Sequence, residues 1–134
     1  MARSNVVSGS IRATTLFVLL TIGAAGCSDS PIAPEEVTAI GWGATARQVE
    51  GEVNDRHVFV CVAGGTPATV WGDGVYTDDS SICTAGVHAG VITLAAGGRV
   101  TIELRPGQDT YTAATRNGIT TRLYTEWPRS FVVH

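Results

Sequence analysis

Three cysteines, three histidines, one adjacent aspartate pair and nine arginines are the side chains of this 134-residue sequence best suited to chemistry. The histidines, His57, His88 and His134, stand too far apart for the short ligand spacing of a metal site. There is no Cys-x-x-Cys pair, no Gly-x-Ser-x-Gly turn and no phosphate-binding glycine loop ahead of a helix. Asp78-Asp79 could hold a cation or act as an acid–base pair. It also stands just before a predicted helix, where a carboxylate is favoured by the positive helix end, and that structural role is the preferred reading. His88 falls inside the same helix and reads as a satisfied structural histidine. No catalytic residue, metal site or cofactor is expected.

The basic side chains are all arginine. Arg3 and Arg12 lie in a predicted export signal, so seven arginines against 12 acidic residues leave −5 for the remainder. A net acidic chain lacks the basic footprint of nonspecific nucleic-acid binding. Five arginines follow Thr84, opposed by Glu103, Asp109 and Glu126. Solvated strand faces account for them in the plainer reading. In the sharper one, Arg99, Arg105, Arg116 and Arg122 form a local surface for an anionic ligand.

The element that would position these groups is the stretch from Ser80 to Val91. Asp79 or Ser80 is a suitable N-cap, because each side chain can accept from a free N–H of the first turn. Gly90 can take the left-handed conformation that closes a helix. Ile82, Ala85, Gly86 and Ala89 recur at three- and four-residue spacing and share one face. Their small size predicts a helix packed inside the domain and covered by strands. Gly86 costs about 1 kcal/mol of helix propensity relative to alanine, which points to a close contact there.

Strand-like sequence surrounds the helix. His57–Val62 reads as a strand buried on both faces or nearly so, and Ala68–Trp71 as a second. Arg99–Arg105 alternates, with Val100, Ile102 and Leu104 inward and Arg99, Thr101, Glu103 and Arg105 outward. Pro106–Asp109 reads as a turn, Asn117-Gly118 as a tight-turn dipeptide and Ser130–Val133 as a closing strand. The fold class is therefore α+β, with the domain spanning 37–134.

Residues 1–26 have the form of an export signal: Arg3 and Arg12, the apolar run Leu16–Ile22, then Gly23-Ala24-Ala25-Gly26. The run is too short to span a membrane, which takes about 20 residues. Ala24-Ala25-Gly26-Cys27 resembles the lipobox of bacterial lipoproteins, although that motif prefers leucine where Ala24 stands. The resemblance implies lipid on Cys27. An ordinary signal-peptidase cut would break the same bond and leave a free thiol. Cysteine arithmetic favours lipid: Cys61 and Cys83 lie in the folded region and can pair, which makes Cys27 the odd one. Two buried free thiols are the alternative for Cys61 and Cys83. Residues 27–36, polar with two prolines, read as a tether between lipid and domain.

Several unusual stretches occur in a fixed order: Val70-Trp71-Gly72, Val75–Ala85, His88–Ile92, Gly97–Val100, Tyr111, Arg116–Ile119 and Ser130-Phe131. Together they resemble the LCCL domain family over about residues 55–133. The resemblance implies an α+β fold in which a short central helix is wrapped by β-strands. It also implies a Cys61–Cys83 disulfide and a non-catalytic extracytoplasmic binding or adhesion module. Some members of that family have been linked to lipopolysaccharide. This chain departs from the pattern in two places. Family members often carry four cysteines, of which only the pair matching Cys61 and Cys83 stands here, and Gly86 replaces a usual alanine. The expected function is a lipid-anchored module recognising a glycolipid, lipopolysaccharide or another glycan, or a protein. The alternative is a structural or adhesive envelope lipoprotein with no small-molecule ligand. The expected location is the bacterial cell envelope, with the domain held at the membrane, the outer one by preference, and facing the periplasm or exterior.

Overall fold

The computed structural model describes Gly26, Pro34 and residues 36–134. The expected export segment apart from Gly26, the expected lipidation site Cys27 and most of the expected tether lie outside the described residues. The fold is α+β. Its strands are β1 (Thr38–Ile40), β2 (Arg56–Cys61), β3 (Gly72–Asp73), β4 (Val75–Thr77), β5 (Gly98–Gln108), β6 (Thr115–Arg116), β7 (Ile119–Thr120) and β8 (Trp127–Val133). The helix α1 spans Ile82–His88, and a single 3-10 turn covers Ala46–Gln48. Among the described residues, six strands make one sheet in the order β1-β2-β5-β8-β4-β3, and β6 and β7 pair as a hairpin. β1 runs parallel to β2, and the other pairs are antiparallel.

The helix is the centre of the core. All seven of its residues are buried, and it packs against β5 and β7. Val100, Ile102 and Leu104 of β5 are buried as the alternation predicts. Leu104 and Tyr76 both pair across the sheet with Phe131, which places the three in one row on one face. A Cβ on Gly86 would stand 2.8 Å from Val100 Cγ2 and 3.3 Å from Ile92 Cγ1. The glycine therefore lets helix and strand approach more closely than alanine would.

The helix ends differ in how well they follow the expectation. At the C-terminus, Gly90 has φ +81°. Its N–H bonds to Val87 O at 2.9 Å and the Val91 N–H to Gly86 O at 2.9 Å, which completes a Schellman closure. At the N-terminus the cap is Ser81, not Asp79 or Ser80: its side chain accepts from the Thr84 N–H. The other two are already engaged. Asp79 accepts from the Thr77 hydroxyl at 2.6 Å, and Ser80 Oγ accepts from the Trp71 N–H at 2.9 Å. Ala89 is also corrected. It stands at the C-cap and is exposed, whereas Ile82, Ala85 and Gly86 are buried.

Three strand expectations change. β2 is only half-buried through its middle, and Val62 beyond it is exposed. Ala68–Val70 forms no strand. Its backbone is used by other groups: the Ala68 N–H by Thr84 Oγ1, Thr69 O by the Ser81 N–H and Val70 O by the Arg122 N–H. Pro106 does not turn the chain, because β5 runs on to Gln108 in register with β8, Pro106 facing Arg129 and Gln108 facing Trp127. β2 has ended by that point, so the missing proline N–H breaks no ladder on that side. The Asn117-Gly118 dipeptide does make the β6–β7 turn, with φ +50° and +78°.

Cys61 at the end of β2 and Cys83 in the helix are joined by a disulfide, with Cα atoms 5.7 Å apart. The bond closes a loop of 22 positions. In the chain-entropy model such a loop is worth about 3 kcal/mol, set by the freedom removed from the unfolded chain.

Candidate functional site

Residues 121–126 connect the β6–β7 hairpin to β8, and among the described residues they carry the most exposed large apolar side chain, Leu123, with the exposed Tyr124 beside it. Leu123 is 71% exposed and Tyr124 39%. The backbone here is well fixed. Tyr124 exchanges two hydrogen bonds with Tyr111, at 2.9 and 3.0 Å, and Arg122 bridges Trp71, donating to Val70 O and accepting from the Gly72 N–H. Side chains on so fixed a segment are held ready for contact with little ordering left to do.

Tyr124 sits between two tryptophans. Its ring meets Trp71 edge-on at 6.2 Å and Trp127 edge-on at 5.5 Å. Trp127 is oriented from behind: its indole N–H donates to Asp78 Oδ1 at 2.7 Å, and Arg47 lies over its ring at 5.8 Å from the centroid. Arg122 stands beside Trp71 in the bridge and is exposed. Neither Arg47 nor Arg122 makes an ion pair among the described residues. The result is an aromatic ledge with cationic flanks. Trp, Tyr and Arg are the residue types that dominate binding hot spots. Such rings suit a partner with an apolar face and polar edges, a sugar ring among them.

The other predicted arginines lie elsewhere. Arg105 donates to Glu103 Oε1 at 2.9 Å and to Asn54. Arg116 grips Asp73. Arg99 is exposed on β5 opposite Val60. Of the four, Arg122 alone joins the ledge. Glu103, read as a solvated outward residue, is in fact 8% exposed. It is roofed by Arg56, Arg105 and His134, at 2.9, 2.9 and 3.0 Å. The Arg56 bond leads these partners in holding its carboxyl below the usual range.

Asp78 and Asp79 serve Trp127 and Thr77, and neither lines the hollow that His88 lines. His88 is fully buried and bonded through Nδ1 to Tyr76 Oη at 2.9 Å. Burial lowers its pKa, opposed by the nearby Ala114 carbonyl. Its Nε2 makes no bond of ordinary geometry. Burial likewise raises the Tyr76 pKa, so both groups are neutral at neutral pH. Among the described residues, no cluster of His, Cys, Asp and Glu could hold a metal ion, and no helix is long and apolar enough to cross a membrane.

Comparison with protein families matches residues 37–131 to the LCCL domain. The chain belongs to the LCCL domain family. Human cochlin is 35% identical over 119 residues, covering 87% of this chain and 20% of that protein. Mouse vitrin is 27% identical over 137 residues, covering 96% of this chain and 20% of its own length. The human cysteine-rich secretory protein LCCL domain-containing 2 is 44% identical over 52 residues, or 39% of this chain and 10% of that one. The chain thus spans a fifth or less of these relatives. In this LCCL domain the disulfide and the buried helix sit where the family resemblance places them. The ledge is a different matter. Trp71, Tyr124 and Trp127 come from two distant segments, and no spacing in the sequence announces them. The signal available was weaker: two tryptophans in a chain poor in aromatics, neither assigned to a core stripe.

Proposed function

We propose that this LCCL domain is a non-catalytic extracytoplasmic binding module, tethered to a cell-envelope membrane by lipid on Cys27 and recognising a glycan or glycolipid on the Trp71–Tyr124–Trp127 ledge. The observation that carries the reading is the ledge itself: three aromatic rings on a fixed backbone, partly open to solvent, with Arg47 and Arg122 at its sides. The rings supply apolar stacking area, and the guanidinium groups favour ligands with phosphate or carboxylate on the sugar, lipopolysaccharide among them. The chain's acidity does not oppose this, because screening limits the reach of distant charges to about 10 Å. Support for the anchor comes from cysteine pairing. Cys61 and Cys83 are bonded to each other, which leaves Cys27 as the unpaired cysteine of the sequence. Several acyl chains hold a protein at a membrane where a single chain gives marginal binding.

The test is an array of glycans and glycolipids probed with the chain from residue 27 onward carrying Cys27→Ser. Binding that Tyr124→Ala and Arg122→Ala each weaken by about tenfold or more supports the ledge, a loss of at least about 1.4 kcal/mol per side chain. Binding indifferent to both substitutions sinks it. Mass spectrometry of the membrane-extracted protein tests the anchor: acyl mass on an N-terminal Cys27 peptide is expected, and an unmodified thiol would overturn it.

A further inference from the structure

A separate hollow of about 520 Å³ opens between the β3–β4 hairpin, the C-terminal end of the helix and the β6–β7 hairpin. Asp73, Tyr76, His88, Arg116 and Asn117 line it. Its size falls within the ordinary range of small-molecule sites. None of the ledge residues belongs to it.

The polar wall is a single ion pair. Arg116 Nε meets Asp73 Oδ1 at 2.7 Å, and Nη2 donates to Oδ2 at 2.9 Å. This two-pronged grip leaves the Nη1 protons of the guanidinium unused, and each carboxylate oxygen keeps an accepting lone pair. Asn117 gives one amide proton to His88 O at 3.0 Å and keeps its carbonyl oxygen and second proton. The floor is the bonded Tyr76–His88 pair, buried and neutral at neutral pH. The hollow therefore holds one negative and one positive group in direct contact and no further charge among its lining residues.

That arrangement discriminates between ligand classes. An anion attracted by Arg116 would meet Asp73 beside it, and a cation attracted by Asp73 would meet Arg116. Either must separate the pair or sit against a like charge. An apolar ligand would strip water from the pair and the amide and return nothing. A hydroxyl both donates and accepts. Neighbouring hydroxyls can give to Asp73 and take from Arg116 while the pair stays closed.

We infer that this hollow binds a neutral polyhydroxylated ligand, a sugar unit or another polyol, through Asp73, Arg116 and Asn117. The assignment stands independently of the ledge.

The test is NMR titration of the exported, isotope-labelled protein in a sugar-free detergent. The probes are methyl α-mannopyranoside, methyl β-galactopyranoside, N-acetylglucosamine and, as a polyol that is not a glycoside, myo-inositol, each up to about 50 mM, well above a Kd near 1 mM. Saturable shifts of the Arg116 Nε–H and the Asn117 side-chain amide are expected with at least one probe. A sugar-only response assigns a glycan unit, and a response to inositol as well assigns the broader polyol class. Arg116→Met, on an exposed hairpin, should weaken binding about tenfold with an unchanged melting transition, and Tyr124→Ala should leave it unaffected. Absence of shifts at both groups across the panel overturns the proposal on the wild-type protein alone. So do shifts confined to the ledge, or stronger binding of sulfate or tetramethylammonium at the hollow.

Discussion

The helix Ile82–His88 and the segment Thr121–Trp127, which is the connection plus the first residue of β8, deploy apolar side chains in opposite directions. The helix buries every residue it has. The connection leaves Leu123 and Tyr124 open and keeps Trp127 half-covered. Backbone satisfaction separates them. The helix bonds mostly within its own turns, with the first N–H, of Ile82, given to Ala44 O, and is finished at its ends by Ser81 and by the Gly90 closure. The connection takes its backbone partners from Val70, Gly72, Tyr111 and Ala114 in other segments. Beyond the buried Thr121 it is fixed by its backbone, which leaves Leu123 and Tyr124 free to face outward. Stability is concentrated in one segment, and recognition is available to the other.

Substitutions can break or sharpen this contrast. The largest effect is expected at Gly86. Valine there would drive a branched side chain into Val100 and Ile92, and overpacking of this kind costs about 1–3 kcal/mol. Urea unfolding would measure it. An unchanged midpoint would mean that helix and β5 have room to spare. Ser81→Ala removes the cap and the hydroxyl bonded to Trp42 O at 2.6 Å. A loss of about 1 kcal/mol, within the usual range for caps, is expected in the same assay. Leu123→Ser should stay within about 0.5 kcal/mol of wild type, as surface positions generally do. A loss comparable to that at Ser81 would show the connection to be part of the core.

The features legible in the sequence are those that local pattern controls. Alternation in Arg99–Arg105, the left-handed needs of Gly90 and Asn117-Gly118 and the small face around Gly86 each have a nearest-neighbour cause. The misreadings have causes outside the window that was read. Pro106 is a turn former by local chemistry, but β8 pairs past it. Ala68–Trp71 has strand composition, but its N–H and C=O groups are taken by the helix entry and by Arg122. Asp79 and Ser80 are as good caps as Ser81 until Thr77 and Trp71 claim them. Glu103 alternates outward as expected, yet Arg56 and His134 converge on it from distant positions. The ledge is the extreme case, since Trp71 and Tyr124 are brought together only by the finished topology.

The place of β8 has a consequence for the order of events in folding. It is the last described strand along the chain, yet it lies inside the sheet, between β5 and β4. Until Trp127–Val133 has been synthesised, β1-β2-β5 and β4-β3 are separate fragments, and neither Tyr76 nor Leu104 has Phe131 beside it. Pairings of such long sequence separation form slowly, because their loop closure must precede any gain. A growing chain therefore holds no completed sheet until β8 is made, and assembly of the six-stranded sheet becomes a single late event of the whole domain.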